Sequence, residues 1–220
     1  MKDRNLRTNI KIGVWTAAFA LAAAIGFGAC TNASDSSGGN GDAGELKFTI
    51  ETVGSDTVLT GYEGEKPQGH IILPSGITKI GYNAFLNCSD LTGQLVIPEG
   101  VTVIDAGAFS GCEKLEKLIL PSTLTSIGGF AFYQCKNLTG ELVLPENITF
   151  VGEKAFMECA KITSVKIRSE NVLTIRDYAF SLKSSISDIL FTVKTGAVKT
   201  LLKGSKSGIV DGQITVDSTI

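Results

Sequence analysis

The sequence predicts a repeat solenoid with short parallel strands, few helices and a cap at each end. Three observations carry this. The phrase Ile-Leu-Pro-Ser-Gly-Ile-Thr-Lys-Ile-Gly-Tyr-Asn-Ala-Phe-Leu-Asn-Cys begins at Ile72, returns in close paraphrase from Val96, Ile119 and Val143, and recurs more weakly from Lys166. Phe85, Phe109, Phe132, Phe156 and Phe180 mark its beat, in steps of 24, 23, 24 and 24 residues. The aliphatic positions between them recur in the same order. A period of this length means stacked coils, each of which buries its apolar side only against its neighbours.

Residues 1–29 read as an export signal. Lys2, Arg4, Arg7 and Lys11 give a basic start, and Ile12 to Phe27 is an uncharged apolar run. Its sixteen residues fall short of the ~20 that cross a bilayer core. The ending Phe27-Gly28-Ala29-Cys30 resembles the lipobox of bacterial lipoprotein signals, with Phe27 in place of the usual Leu. That resemblance implies cleavage before Cys30, acylation of Cys30, and a lipid anchor in the bacterial envelope, at the outer membrane or cell surface. Residues 30–44 are Ser-, Gly- and Asn-rich with no bulky apolar side chain, the composition of a flexible tether.

Residues 45–69 read as an N-terminal cap. Leu46 to Ile50 and Thr57 to Tyr62 form a hairpin turning at Gly54-Ser55-Asp56. Residues 70–188 hold five coils, and 189–220 form a closing cap. In that cap Phe191 to Val193 and Gln213 to Val216 are strands, and Ala197 to Lys203 is a short helix.

In the coil from Gln94 to Lys117, Leu95 and Ile97 point inward from a first strand, and Pro98 ends it by withholding an amide hydrogen. Val101 and Ile104 point inward from a second extended piece. Ala108 leaves room for Phe109, and Cys112 and Leu115 close the coil. Down the stack the inward rows are Ile71, Leu95, Leu118, Leu142, Val165; Leu73, Ile97, Leu120, Leu144, Ile167; Ile77, Val101, Leu124, Ile148, Val172; Ile80, Ile104, Ile127, Val151, Ile175; and Leu91, Leu115, Leu138, Ile162, Ile186. The count from each Cys to the next Pro place runs 10, 9, 10, 9, with the longer spacers reading Leu-Thr-Gly at Leu91 and Leu138. The unit is therefore a two-coil block of about 47 residues, the Cys88-to-Cys135 step.

The recurring Ile/Leu-Pro-x-x-Val-Thr-x-Ile-Gly-x-x-Ala-Phe-x-x-Cys-x-x-Leu resembles the BspA-like, Treponema-type leucine-rich repeats over residues 70–188. The resemblance implies a right-handed leucine-rich-repeat coil with its parallel sheet on a concave face. It also implies an adhesin-like surface protein that binds host extracellular matrix or another bacterial surface protein.

Reactive chemistry is sparse. His70 is the only histidine, which removes most general-base and triad schemes. Cys88, Cys112, Cys135 and Cys159 fall at one place in successive coils. With no close Cys pair, they read as packing thiols ahead of neighbour disulfides or a metal site. The Asn-x-Ser/Thr matches at Asn87, Asn137 and Asn147 have inward middle residues and read as incidental. Loss of residues 1–29 takes the formal charge from −2 to −5, which gives no footing for nucleic acid. The reading is thus of a non-catalytic protein with no cofactor, no metal and no small-molecule substrate.

The candidate contact residues lie on the first strands. Ile72, Val96, Ile119 and Val143 alternate with inward residues and so face outward, with Lys166 ending the row. Beside them runs the polar row His70, Gln94, Lys117, Glu141 and Ser164. A line of exposed β-branched residues fits a protein-contact patch, and strand propensity alone also accounts for it. A structural, self-assembling envelope protein is the other reading of the whole chain.

Overall fold

The computed structural model describes residues 46–170, 174–182, 190–195, 209 and 211–220. The signal, the tether, Cys30, Val172, Ile186 and the expected helix over 197–203 lie outside the described residues.

The chain opens with an antiparallel hairpin, β1 (Phe48–Val53) and β2 (Asp56–Tyr62), turning at Gly54-Ser55 as expected. Each coil then contributes a strand of two residues. These are β3 (Lys79–Ile80), β5 (Val103–Ile104), β7 (Ser126–Ile127), β9 (Phe150–Val151) and β11 (Thr174–Ile175). They join β2 in one continuous seven-stranded sheet of order β1-β2-β3-β5-β7-β9-β11, parallel from β2 onward. Longer strands lie on a second face of the coil: β4 (Gly93–Val96), β6 (Leu115–Ile119), β8 (Gly140–Leu144) and β10 (Ile162–Ile167). The C-terminal cap adds β12 (Leu190–Val193), a 3-10 turn over Asp211–Gln213 and β13 (Ile214–Val216) to that face.

Threonine explains how strands of two residues stay in register. The amides of Thr78, Thr102, Thr125, Thr149 and Thr174 each donate 2.8 Å to the carbonyl of the threonine one coil earlier, beginning at Thr57. The Thr102, Thr125 and Thr149 hydroxyls donate to those same carbonyls at 3.3, 2.9 and 3.1 Å. One β-branched side chain thus satisfies a strand geometry and adds a second donor per coil.

The five phenylalanines form the spine. All are fully buried. Successive rings lie 5.1, 5.5, 5.2 and 5.9 Å apart, within 7° of parallel. Such spacing matches offset stacking, which adds to the burial of each ring. Tyr62 stacks on Phe85 at one end, and Phe191 meets Phe180 edge-on at the other. The caps therefore continue the column and keep its end rings from water.

Most predicted inward rows are buried, but Leu118, Leu120 and Ile175 are only half-buried. For the first two the cause is a split in the longer-strand face. β4 pairs with β6, β8 with β10 and β10 with β12, but β6 and β8 share no ladder. The split follows the spacer rhythm. At the shorter spacers the ladder forms with an irregularity that leaves Glu116 or Thr163 unmatched. At the longer spacers Gly93 and Gly140 adopt φ of 71° and 80°, and only isolated bonds cross the joint, such as Thr92 N to Gly69 O and Thr139 N to Glu116 O. Up to β10 the two-coil block is therefore visible as alternating open and laddered joints, and beyond it β10, β12 and β13 are laddered in succession.

Glycine at the Ile-Gly position answers to close approach between coils rather than to turning. A Cβ on Gly128 would lie 2.7 Å from the Asp105 carbonyl carbon and 2.8 Å from the Ala106 Cα. Two residues on from that place the backbone is left-handed in every coil, filled by Asn83, Gly107, Phe130, Lys154 and Tyr178. For a side chain other than Gly or Asn this conformation costs about 1–2 kcal/mol.

Candidate functional site

The outward row forms, and its exposure is graded. Ile72, Val96 and Ile119 are 65%, 44% and 47% exposed, while Val143 and Lys166 are half-buried. Val96 pairs with Ile119, and Val143 with Lys166, so these side chains share one face of their ladders. Ile72 precedes the ladder rather than lying in a strand. The row then turns polar, since Lys166 pairs with Thr192 and Thr192 with Thr215. The exposed apolar part of this row is therefore confined to the first three coils, while Leu190, paired with Ser164 of the flanking row, is 61% exposed in the cap.

The flanking polar row is also where alternation places it. His70, Lys117 and Glu141 are exposed, and Gln94 and Ser164 are half-buried. Gln94 pairs with Lys117, and Glu141 pairs with Ser164. The open joint between β6 and β8 separates Lys117 from Glu141. Its small cleft, lined by Leu118, Leu138, Thr139, Glu141, Leu142 and Ile162, measures about 10 Å³. That is about the room of one water.

The cysteine row is structural. Among the described residues all four thiols are free and fully buried. The thiols of Cys112, Cys135 and Cys159 each donate to a phenylalanine carbonyl of the preceding coil, at Phe85, Phe109 and Phe132, over 3.1–3.2 Å. Cys88 reaches the Tyr62 hydroxyl at 3.5 Å. Burial pushes all four thiols above their usual range. Burial also raises the Tyr62 hydroxyl to about 12, helped by its hydrogen bond with Cys88. A reactive cysteine needs the thiolate, which burial disfavours throughout this row. Among the described residues no group of three or more His, Cys, Asp or Glu is placed to hold a metal ion.

Charged groups serve the coil joints instead. Lys114 binds Asp90 at 2.6 Å and Lys136 binds Glu113 at 2.8 Å, one coil apart in each case. Exposed pairs of this kind contribute about 0–1 kcal/mol. Sequence reasoning missed the threonine ladder and the exposed aromatics Tyr82, Phe130 and Tyr178. The repeated Thr is the available signal for the first. Phe130 and Tyr178 hold one coil place two coils apart, which is the available signal for them; Tyr82 sits one place earlier in its coil and gives none.

These coils define a leucine-rich-repeat solenoid. The chain belongs to the BspA type leucine rich repeat family, whose repeat model matches six copies over residues 62–187. That range starts inside the N-terminal hairpin, eight residues before the first coil read from the sequence. No match is found among curated proteins. Among solved structures, the pneumococcal vaccine antigen PcpA superposes with a TM-score of 0.54 at 21% identity, over 76% of this chain and 47% of that one. The leucine rich repeat protein of T. pallidum gives 0.45 at 23% identity, over 58% and 78%. A leucine rich cell surface protein of Faecalibacterium prausnitzii gives 0.42 at 21%, over 72% and 56%. The chain thus spans about half the length of the pneumococcal structure, and the likeness to it is one of fold.

Proposed function

We propose that this protein is a non-catalytic protein-binding module displayed at the bacterial cell surface. The carrying observation is the line of Ile72, Val96 and Ile119, exposed one coil after another on the longer-strand face. Three β-branched side chains on a hydrogen-bonded framework present apolar area with little rotamer freedom to lose on contact. His70, Gln94, Lys117 and Glu141 flank it with mixed charge and supply a polar rim. The partner in this reading is a host extracellular matrix protein or another bacterial surface protein. Membership of the BspA type family and the surface setting named for the Faecalibacterium protein support the location. Export through residues 1–29 and a lipid anchor on Cys30 complete the proposal.

The face is small. Five coils at ~4.8 Å give a strip about 24 Å long, whereas a standard interface takes roughly 800 Å² from each partner. Binding by one copy is weak in this reading, and many copies on one membrane gain by multivalency. The test compares the fragment from Gly44 onward with its Val96→Ser/Ile119→Ser variant, captured on host matrix and bacterial surface extracts. Retained capture by a variant with unchanged circular dichroism removes the face from the proposal. A fragment that sediments as an oligomer with no partner favours the self-assembling envelope role.

A further inference from the structure

Away from the strand faces, the bends that carry the phenylalanines differ from coil to coil, and one of them is hollow. The second coil has only small residues there: Ala106, Gly107 and Ser110. Its neighbours carry Tyr82 and Leu86 on one side and Phe130 on the other. The result is an open slot of about 200 Å³ with a small-residue floor and aromatic walls. Tyr82 is 71% exposed and Phe130 38%. Phe130 is braced by Tyr133, edge-on at 5.7 Å, and by Lys154, whose Nζ lies 5.1 Å from the ring centroid. It also holds this place with a left-handed φ of 57°, where the first two coils use Asn83 and Gly107. The same place carries Lys154 and Tyr178 in the fourth and fifth coils, so it is the small second coil that opens the slot beside Phe130.

The slot also holds unspent hydrogen-bonding groups. Ser110 is 8% exposed, and among the described residues its hydroxyl meets no protein partner, so its remaining access is into the slot. The Asn83 side-chain amide lies across the Gly107 Cα, where a Cβ would collide with Oδ1, and it too has no protein partner there. No charged residue lines the slot.

We propose that this slot binds one neutral pyranose ring, the end sugar of a glycan. The volume is below the roughly 300–1,000 Å³ of pockets for larger ligands, so it suits one ring rather than a chain. The C–H faces of a pyranose carry slight positive charge and pack on the negative faces of Tyr82 and Phe130. Its rim hydroxyls both donate and accept, matching the Ser110 hydroxyl and the Asn83 amide. A cationic ligand would want a carboxylate in the lining and would face Lys154 behind the Phe130 ring. An anionic one would find no cation in the lining. This inference is independent of the strand-face reading, with which it shares no residue.

The test uses the full-length chain with methyl β-D-glucopyranoside and methyl β-D-galactopyranoside, read by saturation-transfer NMR. A Kd of about 1–20 mM is expected for at least one of them, with transfer strongest at the ring C–H protons. Tyr82→Ala and Phe130→Asn should each weaken it about tenfold or more, and Ser110→Ala about threefold. Phe130→Asn should melt no lower than the parent, because Asn83 already holds the same backbone conformation in the first coil. A binding loss in a variant that is not destabilised separates a ligand contact from a structural one. The proposal is overturned if neither glycoside shows transfer at about 50 mM. It is also overturned if affinity is unchanged in both ring variants, or if a decaproline peptide occupies the slot more tightly than either sugar.

Discussion

Alkaline pH probes the buried thiol row directly. Cys112, Cys135 and Cys159 have no solvent exposure. Burial raises each thiol well above its ordinary value, and neighbouring thiols push Cys112 and Cys135 further the same way. In the unfolded chain these thiols titrate near ~8.5. A raised folded pKa means the folded state holds the proton more tightly. The stabilisation is therefore complete below about pH 8.5 and is lost as pH climbs toward the folded value. Between pH 8.0 and 9.5 each thiol costs about 1 kcal/mol of folding free energy, and the three together cost about 3–4 kcal/mol. A domain whose total is about 5–15 kcal/mol feels such a loss. The assay is urea unfolding under reductant at the two pH values, followed by far-ultraviolet circular dichroism. In Cys135→Ala the pH-dependent loss should shrink by about 1 kcal/mol, because one thiol no longer takes part. Other titrating groups, Tyr62 included, are common to both proteins and cancel. Equal losses in parent and variant would show that Cys135 is not held as a buried thiol, and the account of the row would fail.

Two further predictions concern the stack. Phe132→Ala removes a fully buried ring with parallel neighbours at 5.5 and 5.2 Å. It should cost about 3–5 kcal/mol by chemical denaturation, and a loss under about 1 kcal/mol would mean the column does not hold the coils together. Gly128→Ala drives a Cβ into the backbone of the coil before it and should lower stability by more than about 2 kcal/mol. Gly212→Ala, where a Cβ meets nothing within 4 Å, should leave the melting temperature nearly unchanged.

Much of the architecture was legible because a solenoid repeats its packing. Each inward position is sampled in several coils, so Phe85 to Phe180 and the Ile80-to-Val151 row stand out without any knowledge of contacts. The alternating spacers even carried the two-coil block. What stayed hidden was backbone chemistry. Nothing in the alternation around Leu118 and Leu120 tells that their strand loses its next neighbour, since that follows from the conformation of Gly140. The left-handed place filled by Phe130 and Lys154 carries no common residue type. For the candidate face, alternation gave direction correctly for Val96 and Ile119. It could not give degree, because the cover over Val143 and Lys166 comes from neighbouring strands and the closing cap. The slot between Tyr82 and Phe130 exists only because the coil between them is small there, a relation between three coils that no single repeat displays.

The alternation of laddered and open joints makes the molecule count in twos. Splicing in one coil alone breaks that order on the longer-strand face, although the threonine face pairs at every joint. Splicing in about 47 residues, from one Cys88-like position to the next Cys135-like one, returns every strand to a register already in use. A whole doublet is thus the unit that reproduces joints already present on both faces, and an engineer extending the stack would start from it.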